Sequence, residues 1–522
     1  MASSSEKGSS QHVDTLVGHD PVSPPKLTGT TLFMVIFSLW VGFAGWALQF
    51  DIGYTGIVLT MQPFNKAFGH CTDNPMHRRS GAPAAGACKL TATQQSLQSS
   101  IYILFMAVGA AFAGFIGNHL GRRRTLQVGC VFIIAGAGGM LGSSGNLLLY
   151  IACKCIGAVG IGHLQSTAPT YGVECCPPRK RGLLVTLYSA GSGFGSFIVA
   201  LVCFGSSSIN NDWSWKTPVL CQIPIAAVYA CGISFFPESP RWLLTKGREE
   251  EARRSFSKLY SKPVDSPDIT ADIAQITEAL DREITLSANT SWLEMFSPHF
   301  IRRTLTAGAI VVGSPICGTF FVFTYAAVFL TEVGISSPVT VVVVLNTCCF
   351  AGSIFGPFVV EYLGRRLTML TGYTCAAVCM LIFAVVSSTT GETAQATKAT
   401  TTAFICIWAF VFSGFIASSM WIASAEMHAL RHRTYGQAFA AALSNIFTFA
   451  ANFWTPYMIN PEHGNMGTNV GYFYFGLEIV IFGVLFLMVP ETGRLSLEQI
   501  DVYFTSGVKP WRTSLAKNKK RT

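Results

Sequence analysis

Twelve apolar segments, each long enough to cross a bilayer, constrain this chain more than any other feature. They run over roughly 32–61, 95–118, 125–144, 147–170, 182–205, 218–236, 304–331, 338–362, 367–388, 400–427, 435–459 and 470–489. About 20 apolar residues suffice for a helix to span the hydrocarbon core, and Gly and Pro recur inside the segments, as is common in membrane helices. Of the 522 residues, 50% are hydrophobic and only 12% charged, whereas soluble domains carry about 25% charged residues. The chain therefore reads as an all-α polytopic membrane protein with 12 transmembrane helices.

An even number of spans puts both termini on one side, and the basic residues say which. Arg122-Arg123-Arg124, Arg179-Lys180-Arg181, Arg365-Arg366, Arg431 with Arg433, and the tail Lys517 to Arg521 all fall on the side of the termini. The opposite loops hold few charges, except the first, with Lys66, Arg78, Arg79 and Lys89. By the positive-inside rule both termini are cytoplasmic. The excess of 36 Lys and Arg over 27 Asp and Glu is thus a topology signal, and no nucleic-acid partner is expected. Met1 to Lys26 is polar and lacks the apolar core of a cleaved signal peptide, so the first span is expected to serve as the start signal. The longest loop, Pro237 to Arg303, reads as a cytoplasmic linker with two polar surface helices. The first outer loop holds Cys71 and Cys88, either an external disulfide or two free thiols. The 16 cysteines show no metal-ligand spacing, so no metal site is expected.

The chain repeats itself. Gly121-Arg122-Arg123 recurs as Gly364-Arg365-Arg366, 243 residues later; Glu174…Arg181 recurs as Glu426…Arg433; and Pro237-Glu238-Ser239 recurs as Pro490-Glu491-Thr492. Two parallel halves of six helices fit this pattern, with a solute site at the midplane between them. The expected division is a tail over 1–30, a bundle over 31–236, a linker over 237–303, a second bundle over 304–489 and a tail over 490–522.

These motifs, with Gly117-Asn118-His119-Leu120-Gly121-Arg122-Arg123, Pro237-Glu238-Ser239-Pro240-Arg241-Trp242-Leu243, Glu361-Tyr362-Leu363-Gly364-Arg365-Arg366 and Pro490-Glu491-Thr492-Gly493-Arg494, resemble the sugar porter family of the major facilitator superfamily over about 32 to 501. Loop lengths and the style of the first helix resemble fungal members. The resemblance implies two pseudo-symmetric six-helix bundles. It also implies two cytoplasmic gating networks: Arg122, Glu174, Arg181 and Glu238 in one half, and Glu361, Arg365, Glu426, Arg433 and Glu491 in the other. Arg pairs carboxylates bidentately, and such networks would latch the cytoplasmic ends when the molecule faces outward. The bland alternative is topology-setting charge. One departure stands out: Asn118 occupies a position where the family has Asp.

Asp51 is the only charge in the first apolar run, and an isolated carboxylate at membrane depth costs roughly 2.5–3.5 kcal/mol on insertion scales. It lies ten residues from the outer end of its helix, and Lys154 lies seven residues from the outer end of the fourth. At about 1.5 Å per residue these depths are similar. Proton-coupled members of the family carry Asp and Arg at these positions, so the resemblance implies that Asp51 and Lys154 couple protons to transport; a static buried ion pair is the alternative.

The resemblance also locates a solute pocket, where it is least well met. A helix-5 Gln becomes Ser189, a Gln pair becomes Ser314-Pro315, an Asn becomes Phe320, and one of two paired tyrosines remains as Tyr325. Trp421 is retained, Asn445 corresponds approximately to a polar pocket residue, and Asn346 falls one helical turn from the usual Asn. Fewer amides means fewer partners for sugar hydroxyls unless Gln165, His163 or Ser424 compensate. Each of these residues also has an ordinary packing reading, and His163 and His428 have a proton-relay one.

No nucleophile–base pair, metal cluster or phosphate loop stands out, so no catalytic residues, cofactor or enzymatic activity are expected. The expected function is proton-coupled transport of a sugar or sugar-like solute by a monomer in the lipid bilayer, at the plasma membrane. The alternative solute is a less polar specialised metabolite or an organic acid, imported or exported. A nutrient sensor is the lesser alternative, since only 21 residues follow Asp501.

Overall fold

The structure, a computed structural model, describes residues 31–71, 88–177, 181–286, 292–325, 338–390, 395–429, 432–459, 466, 469–506 and 508–521. In chain order the bundle helices are α1 (Leu32–Val58), α2 (Ala92–Leu120), α3 (Arg122–Leu141), α4 (Leu147–Cys175), α5 (Arg181–Ser207) and α6 (Trp213–Gly232). The second half follows with α7 (Ile301–Ile316), α8 (Pro338–Leu363), α9 (Arg365–Thr390), α10 (Gln395–Val411), α11 (Arg433–Ile459) and α12 (Val470–Met488). Helix α10 runs on through a π-helical turn, Phe412–Ala417, into Ser418–Met427. Helix α7, with Pro315 inside it, ends at Ile316, and a second π-helical turn follows over Phe321–Tyr325.

Eleven helices are long and apolar enough to cross a membrane among the described residues. The twelfth segment forms α11, which falls below that hydropathy because it carries Gln437, Ser444, Asn445, Asn452 and Thr455. All five are buried, so its polar side chains are packed away from the surrounding lipid.

Local chemistry sets the helix starts. Thr31 caps α1 by accepting the Met34 N–H, Asn146 caps α4 by accepting that of Leu149, and Thr91 with Gln94 forms a capping box on α2. Each such cap contributes about 1 kcal/mol. Two helices, Glu249–Tyr260 and Pro267–Leu286, pack on the end of the bundle that carries the basic turns. Their Phe256, Leu259, Ile269, Ile273 and Ile276 are buried in the main core. Thr31 Oγ1 donates to the Leu259 carbonyl oxygen at 3.0 Å, tying α1 to this layer.

The all-helical expectation has one small exception. Strand β1 (His70–Cys71) pairs antiparallel with β2 (Cys88–Lys89), placing Cys71 opposite Cys88, and Cys88 is disulfide-bonded.

The two halves meet along α2 with α11 and α5 with α8. At the α5–α8 crossing a Cβ built on Gly193 would lie 2.1 Å from Ser353 Oγ, so a hydrogen at Gly193 lets the halves touch. Past α12 the chain crosses beneath its own half through Leu497–Thr505 and Leu515–Arg521. There the buried Asn518 donates its side-chain amide to the Glu491 and Gly493 carbonyl oxygens, both at 3.0 Å.

Candidate functional site

A cavity of about 170 Å³ lies between the halves, walled by α1, α2, α4 and α5 on one side and by α7, α8, α10 and α11 on the other. Ser189, Ser314, Phe320, Trp421 and Asn445 all line it. The side chain of Tyr325 lies outside the described residues. Asn445 Nδ2 donates to Gln165 Oε1 at 2.7 Å, a bond from one half to the other. Ser189 Oγ also crosses, donating to the Ala417 carbonyl oxygen at 2.7 Å. Ser314 instead serves its own helix, where its carbonyl oxygen accepts Thr319 Oγ1 at 2.6 Å beside the end of α7.

The cavity is richer in amides than the substitutions at 189, 314 and 320 suggest. Gln49, Gln165 and Asn346 line it with Asn445. Asn346 uses one N–H on the Val342 carbonyl oxygen, 2.8 Å away. Sequence reasoning passed over Gln49, Tyr102 and Thr448. The signal for Gln49 was present, since a polar residue in an apolar span is costly wherever it sits. With Gly53 and Gly56 it forms a face at helical spacing, which opens on the cavity.

Asp51 points elsewhere. It is 3% exposed, does not line the cavity, and has one carboxylate oxygen without a hydrogen-bond partner. Lys154 acts on it electrostatically, and Gln222 of α6 is its polar neighbour. No Asp51–Lys154 ion pair forms, however. The Lys154 ammonium donates to Thr55 Oγ1 and lies 4.6 Å and 4.4 Å from the ring centroids of Tyr54 and Tyr102. Such cation–π contacts are worth about 2 kcal/mol where desolvated. Tyr102 is also a cavity residue, so one ring touches both the buried cation and the space between the halves.

The basic end carries two copies of one unit. Arg122 holds Glu174 through two bonds, Nε at 2.9 Å and Nη2 at 2.7 Å, and Ser239 Oγ donates to the same carboxylate at 2.6 Å. In the second half Arg365 holds Glu426 at 3.1 Å and Thr492 Oγ1 donates to it at 2.7 Å. Contrary to the network reading, Glu238 and Glu491 take no guanidinium hydrogen bonds among the described residues. Glu238 accepts the main-chain N–H groups of Arg122 and Arg123 at 2.8 and 3.2 Å, and Glu491 those of Arg365 and Arg366 at 3.0 and 3.2 Å. Each carboxylate therefore sits on a helix N-terminus, where free N–H groups and the helix dipole favour negative charge. Burial pushes both carboxyls above the usual range, and the N–H bonds pull them back. A carboxyl with a raised folded-state value loses its contribution to stability as pH climbs through that value.

Further contacts join the halves around these units. Besides the Ser189 and Asn445 bonds, Asn118 Nδ2 donates to Tyr435 Oη at 2.8 Å, so the residue that departs from the family pattern serves the seam. Arg433, fully buried, acts electrostatically on Glu174 of the other half. Glu361 meets Arg494 at 3.8 Å with both partly exposed, a pair worth little. The side chain of Arg181 lies outside the described residues. Burial, with Arg303 and Arg433 nearby, pushes His428 down to about 3, which keeps it neutral at physiological pH and removes it as a relay there.

Residues 37–504 match the family described as sugar (and other) transporter. The chain is 26% identical over 490 residues to the high-affinity fructose transporter ght6 of Schizosaccharomyces pombe, covering 92% of this chain and 88% of that one. It is 27% identical over 507 residues to the high-affinity hexose transporter HXT6 of Saccharomyces cerevisiae, covering 95% and 86%. Among solved structures, the major facilitator proton:xylose symporter XylE, bound to 6-bromo-6-deoxy-D-glucose, is similar with a TM-score of 0.77 at 17% identity, covering 91% of this chain and all of that one.

Proposed function

Because the chain belongs to the sugar (and other) transporter family of the major facilitator superfamily, a family of multi-pass membrane transporters rather than enzymes, we propose that it carries a sugar or sugar-like solute across the plasma membrane by proton-coupled alternating access. The observation that carries this reading is the cavity between the halves, bridged by the Gln165–Asn445 bond. A solute hydroxyl entering there can replace each amide as the other's partner, so binding exchanges one cross-half bond for two solute bonds. Trp421 and Phe320 offer ring faces for the apolar side of a pyranose. The basic end is cytoplasmic in this scheme. Its cross-half contacts, Asn118–Tyr435 and Arg433 with Glu174, must part for the cavity to open inward.

The proton enters at Asp51. With the carboxyl charged, Lys154 is drawn toward it; with the carboxyl neutral, the ammonium rests on Thr55, Tyr54 and Tyr102. Tyr102 then transmits the position of that cation to the cavity wall. The similar proteins, a fructose transporter, a hexose transporter and a proton:xylose symporter, support both parts of the reading.

In proteoliposomes with an imposed pH gradient, Asp51→Asn is expected to abolish uphill accumulation while solute counterflow continues. Accumulation that persists in Asp51→Asn removes Asp51 as the coupling site. A second solute class is favoured by the apolar wall of Ile103, Met106, Phe323, Phe412 and Met420: a less hydroxylated metabolite or an organic acid. A thermal-shift screen across sugars, cyclic hydroxy acids and apolar metabolites decides between them, because a ligand that prefers the folded state raises the melting temperature.

A further inference from the structure

The second half contains a buried carboxylate that the transport scheme does not use. Glu478, in the middle of α12, has no exposed surface. One oxygen accepts the Trp408 indole N–H at 3.1 Å, and the other has no hydrogen-bond partner. The titratable groups that face it are Cys317 at the end of α7 and Tyr373 and Cys379 of α9, none of them a cation. Among the described residues it makes no ion pair, unlike the buried Glu174 and Glu426. An unpaired ionised carboxylate in such surroundings is so unfavourable that the group takes up a proton instead.

What the carboxyl holds gives this site a role. Trp408 stacks on Phe412 at 5.2 Å with the rings 4° apart, and both meet Phe323, at 6.4 and 6.1 Å. Phe412 opens the π-helical turn of α10, and Phe323 lies within that of α7. Both line the cavity. The indole is thus a wedge between two irregular turns, and irregular helix at membrane depth is found where a cavity or a moving part needs it.

We infer that Glu478 is a proton-binding site of the second half: as the neutral acid it receives the Trp408 N–H on one oxygen, carries its proton on the other, and so seats the wedge behind the cavity wall. The proton comes from water and no bond between heavier atoms changes. Ionisation would call in water or a cation and unseat the indole, so solute affinity carries a protonation requirement in addition to that of Asp51. This inference goes beyond the Asp51 reading and stands without it.

The test is infrared difference spectroscopy on the full chain in lipid nanodiscs at neutral pH, in an Asp51→Asn background so that Asp51 contributes nothing. Subtracting Asp51→Asn/Glu478→Gln from Asp51→Asn is expected to leave a carboxylic-acid C=O band that shifts in heavy water. A difference spectrum without that band, or with an ionised-carboxylate band in its place, overturns the proposal. Should the Gln variant not fold, Asp51→Asn/Trp408→Phe removes the N–H donor instead. The acid band is then expected to move to higher frequency, and an unmoved band overturns the proposal. Failure of the coupling scheme is read separately, as uphill accumulation surviving in Asp51→Asn.

Discussion

Glu174→Ala is expected to lower unfolding stability by about 3–5 kcal/mol, because it leaves a buried guanidinium without its partner. Arg122 and Glu174 are 3% and 1% exposed, and two hydrogen bonds join them. The lost carboxylate also strands Ser239 Oγ, which caps the short helix Pro240–Thr245 by accepting the Trp242 N–H. Denaturation in detergent micelles measures the loss, and the paired variant Arg122→Met/Glu174→Ala gives the decisive comparison. Removing both charges is expected to cost less than removing Glu174 alone, since the penalty lies in the uncompensated charge. If the double variant is as unstable as the sum of the singles, the pair contributes through packing rather than charge. Arg433 separates a second consequence. It acts on Glu174 from the other half, so Arg433→Gln is expected to favour opening at the basic end, read as increased labelling of a reporter cysteine at the α2–α11 seam. It leaves the Arg122–Glu174 pair in place.

Gly121→Ala is expected to be nearly as costly, for a different reason. Gly121 sits at φ 91° and ψ 175°, a backbone region that glycine alone occupies readily, at about 1–3 kcal/mol for other residues. A Cβ there would also lie 2.5 Å from Glu238 Oε2, so the carboxylate must leave the amides of Arg122 and Arg123. Hydrogen bonds to a charged group contribute about 1.5–3 kcal/mol each. Gly145→Ala supplies the control: its φ is 82° but nothing lies within 4 Å of its Cβ position, so it carries backbone strain alone. The melting temperature should fall clearly further for Gly121→Ala than for Gly145→Ala. Equal falls would mean that the Glu238 seat adds nothing.

The repeat that suggested these units was plain in the sequence, and so were the helices. Long apolar runs leave the backbone few choices in lipid, and duplicated Gly-Arg-Arg and Pro-Glu turns marked the halves. The site was legible in depth but not in azimuth. Asp51 and Lys154 lie at comparable depths, yet their side chains do not meet, because Thr55 and two tyrosines receive the ammonium instead. In a soluble helix the polar stripe shows which way a residue faces. In a membrane helix lipid and protein interior are both apolar, so that contrast is missing. Gln49 was passed over for this reason, although it lines the cavity two residues before Asp51, which does not. Glu478 carries the same signal as Asp51, a single charge in an apolar run, but neither a repeat nor the resemblance draws attention to it. Ser189, placed by its spacing from Gly182, and Trp421 and Asn445, placed by the resemblance, do line the cavity.

The two copies of the charged unit also bear on how the molecule is made. Among the described residues the hydrogen bonds of the first, from the Gly117 carbonyl oxygen that takes Arg122 Nη1 to Ser239 and Trp242, lie within the first half of the chain, while Arg433 of the other half acts on Glu174 through its charge. In the second copy the Arg365–Glu426 and Asn518–Glu491 bonds likewise lie within the second half. During synthesis the amino-terminal bundle can lock its own end before the carboxyl-terminal bundle has left the ribosome. Interrupting the covalent chain between Leu286 and Trp292 severs none of these bonds, so each of two separately translated fragments is expected to keep its own charged unit.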